Sequence, residues 1–236
     1  MAGPRPRVLA VAHRGDPYRH RENTLPSVES AFAAGADAVE VDVQLTRDGV
    51  PVLLHDLTLR RLWDDQRAVG SLTLARLEEE VGRPGLRVPT LAEALKTAAA
   101  HPEARLLLDL DEPGPAAAAH AVVRELGAGH AVGWCGPAGA MLAVRSLDPD
   151  AELALTWKLP QQPPAALLTD LRPRYLNPPF GLLDDAFVRA AADSGLAVST
   201  WTADRRRTMT RLLALGVASV TSNRIGLLRR VVDGTR

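Results

Sequence analysis

The chain has 236 residues, enough for a substantial core, and we expect one domain over residues 1–236. Its 28 basic residues equal its 28 acidic ones, so net charge favours neither nucleic acid nor an anionic membrane as a partner. The single cysteine excludes an internal disulfide and fits a reducing compartment. The N-terminal apolar run Val8–Ala12 is too short for a signal peptide, so we expect a cytoplasmic protein without a membrane anchor.

The first 60 residues contain three predicted strands and one helix. Val8–Ala12 is an apolar run that leads into a polar loop, and Pro26 then marks the first turn of a helix. Two further apolar runs, Ala38–Val43 and Val50–Leu54, are joined by a turn signal at residues 46–49. The region therefore alternates between strand and helix.

The rest of the chain keeps this alternation after a polar excursion. We interpret its segment Asp64–Pro84 either as a lid over the mouth of the site or as an inert surface insertion. Thr90 and Glu93 form a predicted capping box at the start of a helix. The later predicted strands are Arg105–Leu110, His130–Trp134, Glu152–Thr156, Ala197–Trp201 and Val217–Thr221, with Arg174–Asn177 as a ninth candidate. The predicted helices are Leu91–Ala99, Ala116–Leu126, Ala138–Ser146, Ala165–Leu171, Asp184–Ser194 and Arg205–Leu215.

Alternating strands and helices indicate a parallel α/β fold, either a closed (β/α)8 barrel or an open doubly wound sheet. No glycine-rich phosphate loop follows the first strand, which argues against a dinucleotide-binding open sheet. Polar residues also follow several different strands, as they do at the mouths of barrels. We therefore predict a closed (β/α)8 TIM barrel.

These strand ends carry complementary chemistry. Three carboxylates suit a hard divalent cation, Mg²⁺ or Ca²⁺. Two histidines can act as acid and base, and an arginine can bind the paired oxygens of a phosphate. An isolated Glu-x-Asp pair would fit a solvated strand equally well, but the combination indicates phosphoester cleavage. The residues concerned are His13, Arg14, Glu40, Asp42, His55 and Asp109.

The order and spacing of several short motifs resemble the glycerophosphodiester phosphodiesterases. The motifs are AHRGD, RENT, VEVDVQLTRDGVPVLLHD, RVPTLAEAL, WTAD and GVASVTSN, and they cover nearly the whole chain. The resemblance implies a TIM barrel with one divalent cation that hydrolyses small-molecule glycerophosphodiesters to sn-glycerol 3-phosphate and an alcohol.

By position, His13 and His55 match the catalytic histidines of the family, and Arg14 matches its phosphate-binding arginine. Glu40 and Asp42 match two metal ligands.

The third family ligand is a glutamate in a Glu-x-Lys pattern, where this chain has Asp109 and Asp111. Asp109 is one methylene shorter than glutamate. Asp111 reverses a charge in the mouth, or could itself join the metal shell. This departure motivates a second hypothesis, a catalytically weakened barrel that only binds phosphodiesters. A third hypothesis keeps the enzyme but makes lysophospholipids its substrates.

Four further residues are candidates for the site. Glu22 and Asn23 either cap the following helix or support the metal and the histidines. Asp56 is expected to orient the loop after His55. Trp201 is predicted to form an apolar wall for the glycerol or the alcohol, although core packing would explain it equally well.

The turn at Thr46–Gly49 raises a geometric problem. A tight antiparallel hairpin would carry His55 to the barrel face opposite Glu40 and Asp42. Residues 44–50 are long enough to return along the strand if they are extended. We therefore predict that Ala38–Val43 and Val50–Leu54 are parallel neighbours in the barrel.

Overall fold

The computed structural model describes residues 7–83, 85–103 and 105–234. Its main feature is a closed barrel of eight parallel strands in the order β1-β2-β4-β5-β6-β7-β8-β9, with β9 pairing back to β1. This confirms the predicted TIM-barrel architecture. The nine strands of the described residues are β1 (Leu9–His13), β2 (Ala38–Leu45), β3 (Pro51–Leu53), β4 (Arg105–Asp109), β5 (Val132–Gly136), β6 (Leu153–Thr156), β7 (Tyr175–Asn177), β8 (Ala197–Thr200) and β9 (Ser219–Ser222).

Helices cover the outside of the barrel and bury their apolar faces against the strands. The capping box is present as predicted, because Thr90 accepts from the backbone of Glu93 and the Glu93 side chain accepts from the backbone of Thr90. The helices are α1 (Leu25–Ala33), α2 (Arg60–Trp63), α3 (Leu74–Glu80), α4 (Leu91–Ala99), α5 (Ala116–Glu125), α6 (Ala138–Leu147), α7 (Ala165–Leu171), α8 (Asp185–Asp193), α9 (Arg206–Leu215) and α10 (Ile225–Asp233).

The prediction that Val50–Leu54 is a parallel barrel strand is wrong. β3 pairs antiparallel with the end of β2, with Val43 opposite Leu53 and Leu45 opposite Pro51. β2 continues beyond the barrel wall, and the tight turn lies on that extension. The chain then returns, so that the Leu54 amide donates to the Asp42 carbonyl at 3.1 Å. His55 therefore lies at the mouth because of this hairpin, although a hairpin was expected to carry it to the opposite face of the barrel.

A second, smaller core explains why β3 is apolar without belonging to the barrel. Val52 and Leu54 pack with Leu59, Leu72 and Leu77 from the excursion that follows. The described part of this excursion is thus a folded insertion with its own core; the last residue of the predicted 64–84 segment lies outside the described residues.

Two other elements differ from the sequence-based expectation. Tyr175–Asn177, only a candidate before, closes the barrel as β7 between β6 and β8. Helix α10, which was not predicted, packs its buried Ile225 and Leu228 against the core and contacts β1. None of the helices in the described ranges combines the length and apolarity required to cross a lipid bilayer.

Candidate active site

A cavity of about 450 Å³ opens at the carboxyl ends of the barrel strands. Its wall includes all the residues that were predicted to act in catalysis, phosphate binding and metal binding. Asp111 and Trp201 line it as well. The remaining candidates, Glu22, Asn23 and Asp56, lie behind this wall, where each makes a hydrogen bond to a side chain that lines the cavity.

Three carboxylates gather on one side of the cavity. Glu40 and Asp42 alternate on β2, and Asp109 ends β4 directly opposite Asp42 in the parallel register. One oxygen from each carboxylate lies within 4.8 Å of the others. Glu40 and Asp42 are only 4% and 6% exposed, so little water compensates their charge. We refer to Glu40, Asp42 and Asp109 as the carboxylate triad.

The three carboxylates of the triad repel one another, and the nearby Arg14 charge offsets this repulsion only in part. Burial raises the pKa of Glu40 well above its ordinary value, and repulsion from Asp42 and Asp109 adds to the shift. Burial likewise raises the pKa of Asp109 to about 7, with further contributions from Asp42 and Asp111. A dense set of hard oxygen donors of this kind fits a divalent cation such as Mg²⁺ or Ca²⁺.

The departure from the Glu-x-Lys pattern has a limited effect on this cluster. Asp109 is shorter than glutamate, yet its carboxylate still falls within the 4.8 Å cluster. Asp111 lines the cavity but is exposed and does not belong to the cluster that the described residues form. The triad therefore retains three ligands, and the changed charge at Asp111 lies beside it.

The loop after β1 brings Arg14 to the triad through an unusual backbone. Arg14 and Gly15 have φ values of 58° and 90°. A Cβ on Gly15 would lie 2.2 Å from the Ser27 hydroxyl and 2.6 Å from the Ser27 backbone carbon, so only glycine fits there. This turn aims the Arg14 amide at the Glu40 carboxylate, with a hydrogen bond of 3.1 Å.

The Arg14 side chain is held between acidic partners. Its Nη1 donates to Glu22 at 2.8 Å, and its Nε lies 3.0 Å from the Asp42 carboxylate without the alignment of a hydrogen bond. Glu22 also accepts from Arg61 at 2.8 Å. Burial alone would raise the pKa of Glu22, but the Arg61 and Arg14 hydrogen bonds lower it below its ordinary value. Glu22 is thus an ionised anchor for both guanidinium groups.

Asn23 supports the triad rather than the helix. Its Nδ2 donates to Asp42 Oδ2 at 2.6 Å, and its Oδ1 accepts from the Asp42 amide at 3.2 Å. The residue is 1% exposed and has φ 54°, a conformation that asparagine tolerates better than most residues. Thr24 occupies the cap position of α1, but its hydroxyl donates to the Arg21 carbonyl. Between the two interpretations of Asn23, the contacts favour the supporting role.

His13 is oriented by a pair of residues that the sequence analysis did not identify. Its Nδ1 lies 2.7 Å from Asn223 Oδ1. The amide of Asn223 cannot be reversed without loss, because its Nδ2 donates to Asp204 at 2.8 Å. Nδ1 of His13 is therefore the protonated nitrogen, and Nε2, 3.9 Å from Glu40, keeps a free lone pair. Burial and the nearby Arg14 charge lower the pKa of His13, which favours the neutral ring.

His55 is oriented by a carboxylate, whereas His13 is oriented by an amide. Its Nδ1 lies 2.6 Å from Asp56 Oδ1, and Arg61 donates to both oxygens of the same carboxylate. Hydrogen bonds from Arg61 and His55 lower the pKa of Asp56 to about 2, so the carboxylate is ionised. An ionised carboxylate at this distance fixes the Nδ1–H tautomer and can stabilise positive charge on the ring.

We expect Asp56→Asn to lower kcat by about 10- to 100-fold while changing KM little, because a neutral amide no longer stabilises positive charge on the His55 ring as the carboxylate does. The measurement is the steady-state turnover of each variant across pH. Asp65→Asn is the matched control, since Asp65 makes a similar pair with Arg67 and is not among the residues that line the cavity. Equal losses in both variants would contradict a positioning role for Asp56.

Two further residues have clear surroundings. The Trp201 indole N–H donates to the Asn177 carbonyl at 3.0 Å, and its ring lines the cavity, which favours the predicted wall over core packing. Cys135 is buried beside Asp109, opposite it in the β4–β5 register. Burial raises the pKa of its thiol well above the ordinary value, so it is unsuited to act as a nucleophile.

Asn223, Asp204 and Arg61 escaped the sequence analysis for an identifiable reason. Asp204 and Asn223 lie in the noted WTAD and GVASVTSN motifs, but their contact bridges residues 19 positions apart. The available signal was the position of Asn223 directly after β9, where barrel strands place functional groups.

Comparisons with known proteins identify relatives of this chain. A model of the glycerophosphoryl diester phosphodiesterase family matches residues 13–227. The glycerophosphodiester phosphodiesterase of Bacillus subtilis (strain 168) is 27% identical over 97% of this chain and 87% of its own length. Glycerophosphodiester phosphodiesterase 1 of Rattus norvegicus is 37% identical, but the match covers 52% of this chain and 39% of the rat protein.

Solved structures share the fold. An Oleispira antarctica phosphodiesterase in complex with the product sn-glycerol-3-phosphate superposes with a TM-score of 0.86, at 24% identity and 97% coverage of both chains. The glycerophosphodiester phosphodiesterase of Thermotoga maritima gives a TM-score of 0.81, at 20% identity over 95% of this chain and 98% of that chain. With the family match over most of its length, the chain belongs to the glycerophosphoryl diester phosphodiesterase family.

Proposed function

We propose that this protein is a metal-dependent phosphodiesterase that hydrolyses glycerophosphodiesters to sn-glycerol 3-phosphate and an alcohol. The observation that carries the proposal is that the carboxylate triad shares one cavity with Arg14 and with two histidines. One histidine is held by an amide and the other by a carboxylate. Relatives bear the name of this activity, and the Oleispira antarctica structure is described with sn-glycerol-3-phosphate as its product.

Glu40, Asp42 and Asp109 would hold one Mg²⁺ or Ca²⁺, which would supply positive charge against the phosphate oxygens. Arg14 is positioned to bind the phosphate from the β1 side, because Glu22 fixes its guanidinium beside the triad. Asn23 keeps the Asp42 carboxylate in place during turnover.

The hydrogen bonds of the two histidines divide the proton transfers between them. His13 is the base: its ring is neutral and its Nε2 lone pair is free to accept the proton of the attacking hydroxyl, from water or from the glycerol of the substrate. His55 is the acid: with Asp56 stabilising the charged ring, its Nε2–H protonates the oxygen of the leaving alcohol. The sequence alone left this assignment open.

Hydrolysis of glycerophosphoglycerol and glycerophosphocholine tests the proposal, with release of sn-glycerol 3-phosphate as the readout. We expect turnover with Mg²⁺ or Ca²⁺, its loss in EDTA, and its return when the cation is restored. Undiminished turnover in EDTA would contradict a metal-dependent mechanism. Thermal stabilisation by these substrates without product would instead support the phosphodiester-binding barrel suggested by Asp111.

A further inference from the structure

The cavity contains one of only two lysines in the chain. Of the 28 basic residues, Lys96 and Lys158 are the lysines and the rest are arginines. Both lysines are exposed, but Lys158 follows β6 and lines the cavity, whereas Lys96 lies on α4. The lysine in the mouth therefore stands out as a chemically distinct group.

Lys158 lies on the face of an aromatic ring. Its Nζ is 5.6 Å from the centre of the Trp201 ring, within the range of a cation–π contact. The Trp201 indole N–H donates to the Asn177 carbonyl at 3.0 Å, which fixes the orientation of the Trp201 ring. The same carbonyl accepts from the Trp157 backbone amide at 3.3 Å. The Trp157 indole also donates to the Gln161 carbonyl at 2.6 Å, which closes the turn that carries Lys158.

Within the part of the chain that the structure describes, no carboxylate pairs with the ammonium of Lys158. Among the cavity-lining residues in the described ranges, Arg14 is paired with Glu22 and Asp42, while Lys158 has no acidic oxygen within 4.0 Å. Its charge thus remains available to act on whatever occupies the cavity beside Trp201.

The two sides of the cavity differ in character. The side formed by β1, β2 and β4 carries the triad, Arg14 and His13, which suits a phosphate and the hydroxyls of glycerol. The side formed by β6 and β8 carries Trp157, Leu159 and Trp201 around Lys158. A phosphodiester held at the triad would extend one of its two arms toward the Trp201 ring.

We propose that Lys158 determines alcohol specificity: it occupies the cation-binding face of Trp201 and selects glycerophosphodiesters of neutral or anionic alcohols over those of cationic alcohols such as choline. An exposed tryptophan face is the natural site for a quaternary ammonium group. Here the protein fills that face with its own ammonium, which repels a second cation. The inference rests on the proposed phosphodiesterase function.

Kinetics on two substrates test this selection. Wild-type protein should have a higher kcat/KM for glycerophosphoglycerol than for glycerophosphocholine. Lys158→Met should raise kcat/KM for glycerophosphocholine by about tenfold and change that for glycerophosphoglycerol by less than about threefold. Lys158→Arg should retain the wild-type preference. Lys96→Met, which removes the other lysine, should leave both values unchanged.

Two results would overturn the inference. An equal fall on both substrates in Lys158→Met would make Lys158 a phosphate ligand, and unchanged values would make it a bystander. If wild-type protein with Mg²⁺ or Ca²⁺ hydrolyses neither substrate, the proposed function fails separately. Calorimetric Kd values for both compounds then decide the inference, which predicts that Lys158→Met strengthens binding of glycerophosphocholine alone.

Discussion

His13→Ala is expected to lower kcat by about 10²- to 10⁴-fold, the usual contribution of a general base, with a smaller change in KM. His13 is the only described histidine whose ring is held by an amide oxygen and faces the triad through Nε2. Alanine removes the free lone pair but leaves Arg14 and the carboxylate triad intact. Steady-state hydrolysis of glycerophosphoglycerol at saturating Mg²⁺ or Ca²⁺ measures the loss.

The pH profile provides an independent check on the role of His13. A base must be deprotonated, so activity falls when the pH drops below the pKa of its ring. Burial and Arg14 lower that pKa from 6.5, and the acidic limb of the wild-type profile should therefore lie below pH 6.5. The residual activity of His13→Ala should lack this limb. His20→Ala, at an exposed position, is the control; a similar fall in both variants would exclude His13 as the base.

Much of the site could be predicted because its residues follow local rules. Glu40 and Asp42 share a face by the two-residue period of a strand, and parallel strands bring their carboxyl ends to one mouth. These rules require only the strand positions. The architecture and the grouping of the triad with His13 and His55 could be anticipated for this reason.

The errors arose where tertiary packing overrides local rules. A tight hairpin after β2 would carry His55 to the opposite barrel face only if both of its strands stayed within the barrel wall. The structure extends β2 past the barrel and gives Val52 and Leu54 a second core, which no local pattern reveals. The support of His13 by Asn223 and Asp204 depends on two loops that are distant in sequence, one directly after β9 and one after β8, so no local pattern predicts it.

Asp109→Asn is expected to reduce kcat/KM by at least about 10²-fold at saturating cation, because it removes one of three anionic ligands and weakens charge stabilisation at the phosphate. The same substitution should shrink the rise in Tm that Mg²⁺ or Ca²⁺ produces in wild-type protein, since that rise reports cation binding to the folded state. Asp111→Asn is the matched control. It removes an acid outside the triad and should retain most of the cation-induced shift.

In EDTA, where no cation is bound, Asp109→Asn should raise the stability of the protein rather than lower it. The pKa of Asp109 is raised from 3.8 to about 7, so the folded protein binds this proton more tightly than the unfolded chain does. The associated stability is fully present below pH 3.8, falls as the pH rises, and is lost above about pH 7. Asparagine carries no charge and avoids this loss. At pH 8 without cation, Asp109→Asn should therefore melt above wild type, by about 2–4 °C for each kcal/mol that burial and repulsion of the Asp109 charge cost the folded state. The contrary result would be an Asp109→Asn variant that melts below wild type in EDTA at both pH 4 and pH 8. That result would show that Asp109 stabilises the barrel by packing and that its charge does not destabilise the cation-free protein.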